Sequence, residues 1–211
     1  MKRLCAKEAL KLVPDQGKIG LGGGETIAYL AENVKEAGKH VTVITPSEAT
    51  REKCLELGLT VDETGKTSKL EIAFDGCDQV DQRLNAYKSA GGIHTQEKII
   101  ARMSKEYVLL ADETKLVKEL GCDIPIVLDI VPEAFGYIKR EIQLMGGDVH
   151  KRNDHLLEAE FKEVHSLEEL DRRLKAMTGV IETSLFYQIA TKALIAGKDG
   201  VKIIEKTGER K

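Results

Sequence analysis

Residues 19–34 read IGLGGGETIAYLAENV, and this stretch decides the fold class. Its first three residues are typical of a buried strand, and three glycines follow as a tight turn. Ile27, Leu30, Ala31 and Val34 then share one face of a helix. A strand, a glycine turn and an amphipathic helix in immediate succession indicate parallel strands joined by crossover helices. We therefore expect an open α/β sheet.

The same alternation continues through about the first 125 residues. It predicts strands at residues 41–44, 72–74 and 107–111, and helices at residues 26–39, 46–57 and 97–103, with a further helical segment that opens at residues 112–115 and ends at Gly121.

From residue 124 onward the order of elements changes. The pattern predicts a strand at residues 126–131, a helix at 133–145, strands near Val149 and at 155–161, a helix at 167–177 that Ser166 caps, and a strand at 180–186. This is the β-α-β-β-α-β order of a split βαβ arrangement. A hairpin at residues 193–205 is expected to return to the first sheet as an antiparallel edge.

These elements predict two domains. One is an open, mostly parallel Rossmann-like sheet flanked by helices, formed by residues 1–123 and 192–211. The other is a smaller α+β domain of the ferredoxin-like type, formed by residues 124–191.

Composition excludes several functional classes. The 211 residues are 42% hydrophobic and 32% charged, as in an ordinary globular protein. With 32 Lys and Arg against 35 Asp and Glu, the chain lacks the basic footprint of a nucleic-acid-binding protein. It has neither an apolar run of the roughly 18 residues that span a bilayer nor a signal peptide, so we expect a cytoplasmic protein. Its four cysteines are far apart and predict no metal site.

Candidate functional residues lie where strands lead into helices, since open α/β sheets bind ligands at the carboxyl ends of their strands. The junctions are GLGGGET at residues 20–26, DGCD at 75–78, the segment from Lys88 to Glu97, and DETK at 112–115. Glycines before a helix favour an anion, and clustered carboxylates with a nearby lysine suit proton transfer and oxyanion stabilisation. Each junction taken alone also fits a structural role as a turn, a helix cap or a solvated lysine.

Taken together, the four junctions resemble type A ribose-5-phosphate isomerases in order and spacing. Residues 75–78 resemble the D-G-x-D motif of that family, and residues 88–91 (KSAG) resemble its K-G-G-G motif. Glu97 falls at the position of its catalytic glutamate. The steps of 13 residues from Asp75 to Lys88 and of nine from Lys88 to Glu97 fit without gaps. The likeness extends over essentially the whole chain.

The resemblance implies interconversion of D-ribose 5-phosphate and D-ribulose 5-phosphate through an enediol(ate), in the non-oxidative pentose phosphate pathway, without metal or other cofactor. It implies that Glu97 carries the proton between C2 and C1 and that Lys88 stabilises the enediolate oxygen. It also implies that Asp75 transfers a hydroxyl proton and that Asp78 orients the hydroxyl groups of the sugar. The implied substrate-binding residues are Gly23, Gly24, Glu25, Thr26, Gly76, Cys77, Ser89, Ala90, Gly91, Lys115 and Lys7. It also implies a homodimer or homotetramer.

The chain departs from the family at the phosphate loop, which commonly reads T-G-S-T where this chain has GGET at residues 23–26. Two hydroxyl groups are absent there, and one carboxylate, Glu25, is added. Ser89 and Ala90 replace two of the usual glycines. Two other functions stay open at this point: a non-catalytic sugar-phosphate-binding paralogue, and an isomerase of a related aldose or its phosphate.

Overall fold

The computed structural model describes residues 1–206. In that part of the chain the helices are α1 (Lys2–Leu10), α2 (Glu25–Glu36), α3 (Glu48–Glu56), α4 (His94–Met103), α5 (Phe135–Leu144) and α6 (Leu167–Lys175). The strands are β1 (Gln16–Leu21), β2 (His40–Ile44), β3 (Thr60–Asp62), β4 (Leu70–Gly76), β5 (Gln79–Asp81), β6 (Ala86–Tyr87), β7 (Ser104–Asp112), β8 (Leu116–Val117), β9 (Ile126–Ile130), β10 (Gly147–Lys151), β11 (Leu156–Phe161), β12 (Val180–Thr183), β13 (Leu185–Phe186), β14 (Lys192–Gly197) and β15 (Gly200–Glu205).

The main sheet has seven strands in the order β15-β14-β7-β4-β1-β2-β3. All neighbouring strands are parallel except β14 and β15, so the predicted hairpin does return as an antiparallel edge. Alternate side chains pack on opposite faces: Val108 and Leu110 join the core under α1, α2 and α3, whereas Tyr107 and Leu109 join the core under α4. The prediction of an α/β fold with a mostly parallel sheet is confirmed.

A second sheet follows the order β10-β11-β9-β12 and is antiparallel throughout. Helices α5 and α6 bury their apolar faces against it. Ser166 caps α6 by accepting a hydrogen bond from the backbone N–H of Glu169. The elements of this unit follow the predicted β-α-β-β-α-β order.

A small third sheet, β13-β6-β5-β8, lies between the two larger units and was absent from the sequence prediction. Its strands are only two or three residues long, too short for a periodic signal. Strand β3 at the edge of the main sheet was missed for the same reason.

Two predicted elements were wrong, both because this small sheet recruits their residues. The helical segment expected after residue 112 is a single 3₁₀ turn, Glu113–Lys115, followed by β8, which pairs with β5. The single strand expected at residues 180–186 is divided at Ser184: β12 pairs with β9, and β13 pairs with β6. Tertiary pairing overrides local propensity at both places.

No helix in the described part of the chain is long and apolar enough to cross a membrane.

Candidate active site

A cleft of about 430 Å³ opens at the carboxyl ends of β1 and β4, beside the first turns of α2 and α4. This is the edge of the sheet at which the sequence predicted a ligand site. The residues that line the cleft are Lys2, Gly23, Gly24, Glu25, Thr26, Ser47, Asp75, Gly76, Cys77, Asp78, Lys88, Gly91, Ile93, Glu97, Leu110 and Lys115.

Asp75 lies near the end of β4 and is 2% exposed. Its Oδ1 accepts hydrogen bonds from the backbone N–H groups of Gly76, at 2.8 Å, and Gly23, at 3.3 Å. Its Oδ2 accepts one from the hydroxyl group of Tyr107, at 3.0 Å. A Cβ on Gly22 would lie 1.9 Å from Asp75 Oδ1, so only glycine leaves room for this carboxylate.

Lys88 follows β6 and places its ammonium group between two carboxylates. Its Nζ is 3.1 Å from Asp75 Oδ2 and 3.2 Å from Glu97 Oε1, and it donates to the carbonyl oxygen of Gly76 at 2.7 Å. Glu97 lies in the first turn of α4. Lys88 and Glu97 are 7% and 6% exposed, so the three charges are held together away from water.

Burial and charge shift the pKa values of this group. Burial, followed by the charge of Asp75, raises the pKa of Glu97 to about 7, although Lys88 works in the opposite direction. Burial by itself would lower the pKa of Lys88, but Asp75 and Glu97 outweigh it and the pKa is raised. Glu97 is thus able to accept a proton near neutral pH while Lys88 remains a cation.

The loop that carries Lys88 is held by contacts from several parts of the chain. Asp78 Oδ2 accepts from the backbone N–H groups of Ser89, at 2.5 Å, and Ala90, at 2.9 Å. The Nη1 of Arg152 donates to the carbonyl oxygens of Ser89 and Ala90, at 2.8 and 3.2 Å. Neither Ser89 nor Ala90 has a positive φ. The positive φ in this loop is at Gly92, where it is +67°. The replacement of two family glycines therefore fits this loop without strain.

At the other end of the cleft, Gly24 caps α2 with φ +94°, and the first turn of the helix faces the cleft through Glu25 and Thr26. The Glu25 carboxylate accepts from Lys2 Nζ at 2.5 Å and from the Tyr29 hydroxyl at 2.6 Å. These hydrogen bonds, that of Lys2 first, lower the pKa of Glu25. The positive charge of Lys2 therefore offsets the negative charge of Glu25 at the glycine turn, where the sequence predicted a bound anion.

Two further cleft residues have clear roles. Lys115 donates to the carbonyl oxygen of Cys77, at 2.6 Å, and presents its charge to the cleft. Burial raises the pKa of the Cys77 thiol to about 12, so this cysteine packs as a neutral group.

Most of the candidate residues meet in this cleft, and three do not line it. Lys7 is exposed on α1 and lies outside the cleft, where Lys2 of the same helix takes part. Ser89 and Ala90 contribute through their backbones. The sequence reasoning missed Tyr107 and Arg152. Tyr107 could have been singled out because it places a hydroxyl group within the buried, otherwise apolar run of β7. Nothing in the residues around Arg152 indicates that it contacts the site.

No group of three or more His, Cys, Asp or Glu side chains suited to a metal ion occurs among residues 1–206.

Comparison with known proteins places this geometry in a family. The family profile described as ribose 5-phosphate isomerase A (phosphoriboisomerase A) matches residues 42–200. The ribose-5-phosphate isomerase A of Methanocaldococcus jannaschii is 34% identical, with 98% of each chain covered.

Solved structures agree with that match. A crystal structure of ribose 5 phosphate isomerase A from Neisseria gonorrhoeae superposes with a TM-score of 0.91 at 27% identity, covering 98% of this chain and 96% of the other. A D-ribose-5-phosphate isomerase solved in complex with phospho-erythronic acid superposes with a TM-score of 0.88 at 28% identity, covering 97% of both chains. A profile match over most of the chain, together with full-length relatives above 30% identity, shows that this protein belongs to the ribose 5-phosphate isomerase A family of aldose-ketose isomerases.

Proposed function

We propose that this enzyme interconverts D-ribose 5-phosphate and D-ribulose 5-phosphate through an enediol(ate), with Glu97, Lys88 and Asp75 as its catalytic residues. The observation that carries the proposal is the buried Lys88 ammonium group, within 3.2 Å of both an Asp75 and a Glu97 oxygen in a cleft of about 430 Å³. An aldose-ketose isomerisation needs a base, a stabiliser of a developing oxyanion and a carrier of a hydroxyl proton, and this cluster supplies all three.

The proton that moves between carbons is assigned to Glu97. Its carboxylate removes the proton from C2 of the open-chain aldose and returns it to C1, so the bond order between C1 and O1 falls as that between C2 and O2 rises. A pKa of about 7 lets Glu97 both accept and return a proton at neutral pH.

The charge that develops on oxygen is assigned to Lys88. In the water-poor end of the cleft, its ammonium group stabilises the enediolate more strongly than it would in bulk water. Asp75, which contacts the same ammonium group, carries the hydroxyl proton between O2 and O1. With Glu97 handling the carbon-bound proton, both transfers are accounted for within the cluster.

The phosphate group is assigned to the end of the cleft formed by the first turn of α2. Backbone N–H groups at Gly24 to Thr26 favour an anion there, and Lys2 and Lys115 add two positive charges. In this proposal Lys2 takes the role in phosphate binding that the family resemblance implied for Lys7. Asp78 and Gly91, with the backbones of Ser89 and Ala90, keep the Lys88 loop in place beside Gly76 and Cys77.

The test is an assay in EDTA that follows ribulose 5-phosphate formation from ribose 5-phosphate, with unphosphorylated ribose in parallel. We expect turnover of the phosphate alone. Glu97→Gln should lower kcat by at least about a hundredfold, because general-base catalysis typically contributes 10² to 10⁴. The absence of turnover with either sugar, in a folded protein, would contradict the assigned substrate, and near wild-type turnover of Glu97→Gln would remove Glu97 from the mechanism.

Phosphoerythronate provides a second test, since its carboxylate matches the planar, charged enediolate and its phosphate matches that of the substrate. It is expected to inhibit competitively, and Lys88→Met should weaken that inhibition more than it weakens binding of inorganic phosphate. Equal weakening of both would argue against an oxyanion role for Lys88.

We further propose, from the family resemblance, that the enzyme is a cytoplasmic homodimer or homotetramer. We also propose that residues 1–123 and 192–206 form its catalytic domain and residues 124–191 a smaller one; the remainder of the expected segment, residues 207–211, lies outside the described residues. Light scattering after size exclusion reports the oligomeric state directly.

A further inference from the structure

The hydroxyl group of Tyr107 is a buried polar group whose position serves no packing purpose. Tyr107 lies in the middle of β7 and is 1% exposed, on the sheet face covered by α4. Phenylalanine would fill nearly the same volume. The hydroxyl group instead donates to Asp75 Oδ2, at 3.0 Å, beside the contact that this oxygen makes with Lys88.

Strand pairing, two backbone hydrogen bonds and one ring contact fix the position of Tyr107. Strand β7 pairs in parallel with β4, so that Tyr107 lies opposite Ala73, two residues before Asp75 on the same face. Its backbone N–H donates to Thr191 Oγ1 at 3.0 Å, and its carbonyl oxygen accepts from the Thr191 N–H at 3.0 Å. The ring stacks on Phe186, with centroids 5.9 Å apart. The hydroxyl group is therefore directed at Asp75 by the fold and costs little further ordering.

The two carboxylates of the cluster are unequally supplied with hydrogen-bond donors. Asp75 faces two backbone N–H groups, the Tyr107 hydroxyl and Lys88. Glu97 faces Lys88. Hydrogen-bond donors take up part of the charge of a carboxylate, so the donors around Asp75 limit how strongly its charge acts on Glu97.

The other titratable groups around the pair leave this asymmetry in place. Cys77, next in the chain, is a neutral thiol, and Asp78 adds a negative charge that acts on Glu97. Lys98 lies behind Phe186, with Nζ 4.8 Å from that ring centroid. Burial keeps the pKa of Tyr107 well above its usual value, so the phenol remains a donor at every working pH.

We propose that Tyr107 is a positioning residue for the isomerisation: its hydroxyl group holds the Asp75 carboxylate in one orientation and takes up part of its negative charge, so that less of that charge acts on Glu97. This inference rests on the proposed function, because it concerns the same proton transfers. Without the hydroxyl group, more of the Asp75 charge acts on Glu97, and the Asp75 carboxylate turns more freely about its side-chain torsions.

The first test is Tyr107→Phe, followed by the pH dependence of kcat and kcat/KM with ribose 5-phosphate. We expect kcat to fall about tenfold with KM nearly unchanged, and the acid limb of kcat/KM to move to higher pH by about half a unit to one unit. The matched control is Tyr87→Phe, which removes another buried hydroxyl group, one that donates to the carbonyl oxygen of Gly121 at 2.9 Å. Tyr87→Phe should lower the Tm to a similar extent and leave the acid limb in place.

A second variant keeps the inference falsifiable if Tyr107→Phe is poorly folded. Replacement of Tyr107 by 3-fluorotyrosine keeps the shape and makes the phenol a stronger donor, so the acid limb should move to lower pH. An acid limb that stays at the wild-type pH in a folded Tyr107 variant overturns the proposal, even if the Tm falls. Wild-type activity is measured first in the same assay, so a failure of the proposed substrate is seen separately from a failure of this inference.

Discussion

Glu97 illustrates how a single residue couples activity to stability. Its charged form is held in a buried site, and its pKa is raised from 4.5 to about 7. A carboxyl group with a raised folded-state pKa contributes most to stability below about pH 4.5, and that contribution is lost as the pH rises through about 7. The proposed catalytic base therefore lowers stability at neutral pH and above, where its charged form is needed.

Glu97→Gln should accordingly be more thermostable than the wild type at pH 8.5, by at least about 3 °C, and nearly equal to it at pH 5. The neutral amide avoids the cost of a buried charge while Lys88 keeps its contact with Asp75. Differential scanning fluorimetry at the two pH values checks this. A Tm difference that is the same at both would contradict a raised pKa for Glu97.

Glu25 places a carboxylate in the first turn of α2, at the end of the cleft where an anion is expected. Its carboxylate binds the Lys2 ammonium group, which lines the cleft where the phosphate is proposed to bind. A phosphate group must share Lys2 with Glu25, and the two anions repel each other.

Glu25→Gln should therefore lower KM for ribose 5-phosphate about threefold and leave kcat unchanged, because it frees Lys2 without reaching the catalytic cluster. Lys2→Met is the paired variant and should raise KM. Initial-rate kinetics at constant ionic strength check both. A higher KM in Glu25→Gln would show that Glu25 contributes a useful substrate contact.

At the scale of elements, the close approach of β1 and β4 shapes the site. Gly22 follows β1, and its backbone N–H donates to the carbonyl oxygen of Phe74 in β4 at 2.8 Å. This pairing brings the glycine turn against Asp75, with no room for a side chain at Gly22. The glycine turn thus makes room for the Asp75 carboxylate and also leads into the end of the cleft where the phosphate is proposed to bind.

Gly22→Ala is expected to lower kcat at least about a hundredfold, because its methyl group would displace the Asp75 carboxylate from Lys88. Gly136→Ala in α5 is the control: a Cβ there meets nothing within 4 Å, and alanine favours the helix. Steady-state kinetics and circular dichroism compare the two. Wild-type kcat in a folded Gly22→Ala protein would contradict the crowded geometry.

At the scale of the whole molecule, the smaller α+β unit reaches into the active site. Arg152, directly after β10, binds Glu158 of β11 and donates to the carbonyl oxygens of Ser89 and Ala90. Ser184, between β12 and β13, accepts through its carbonyl oxygen from the Lys88 N–H at 3.0 Å. The position of Lys88 thus depends on the packing of one unit against the other.

Arg152→Ala should lower kcat about tenfold and reduce stability by about 1–2 kcal/mol, since the Lys88 loop loses two charge-assisted hydrogen bonds. Arg140→Ala serves as the control, because Arg140 is exposed and pairs with its neighbour Glu141; its effect should stay within about 0.5 kcal/mol. Urea unfolding and kinetics measure both effects. Unchanged kcat in Arg152→Ala would show that the loop holds Lys88 without the smaller unit.

The sequence by itself determined the fold class, the order of the larger elements and most of the residues that meet in the cleft. These features depend on residues that are close together in the sequence. The glycine turn after residue 21, the helical spacing of residues 27–34 and the short motifs at Asp75 and Lys88 each lie within one element or junction. Tertiary structure alone decided what depends on distant pairs. The hydrogen bond from Tyr107 to Asp75 joins residues 32 positions apart, and that from Arg152 to Ser89 joins residues 63 apart. It also divided the strand at Ser184 and replaced the helix after residue 112, because short strands form only when a partner strand supplies their hydrogen bonds.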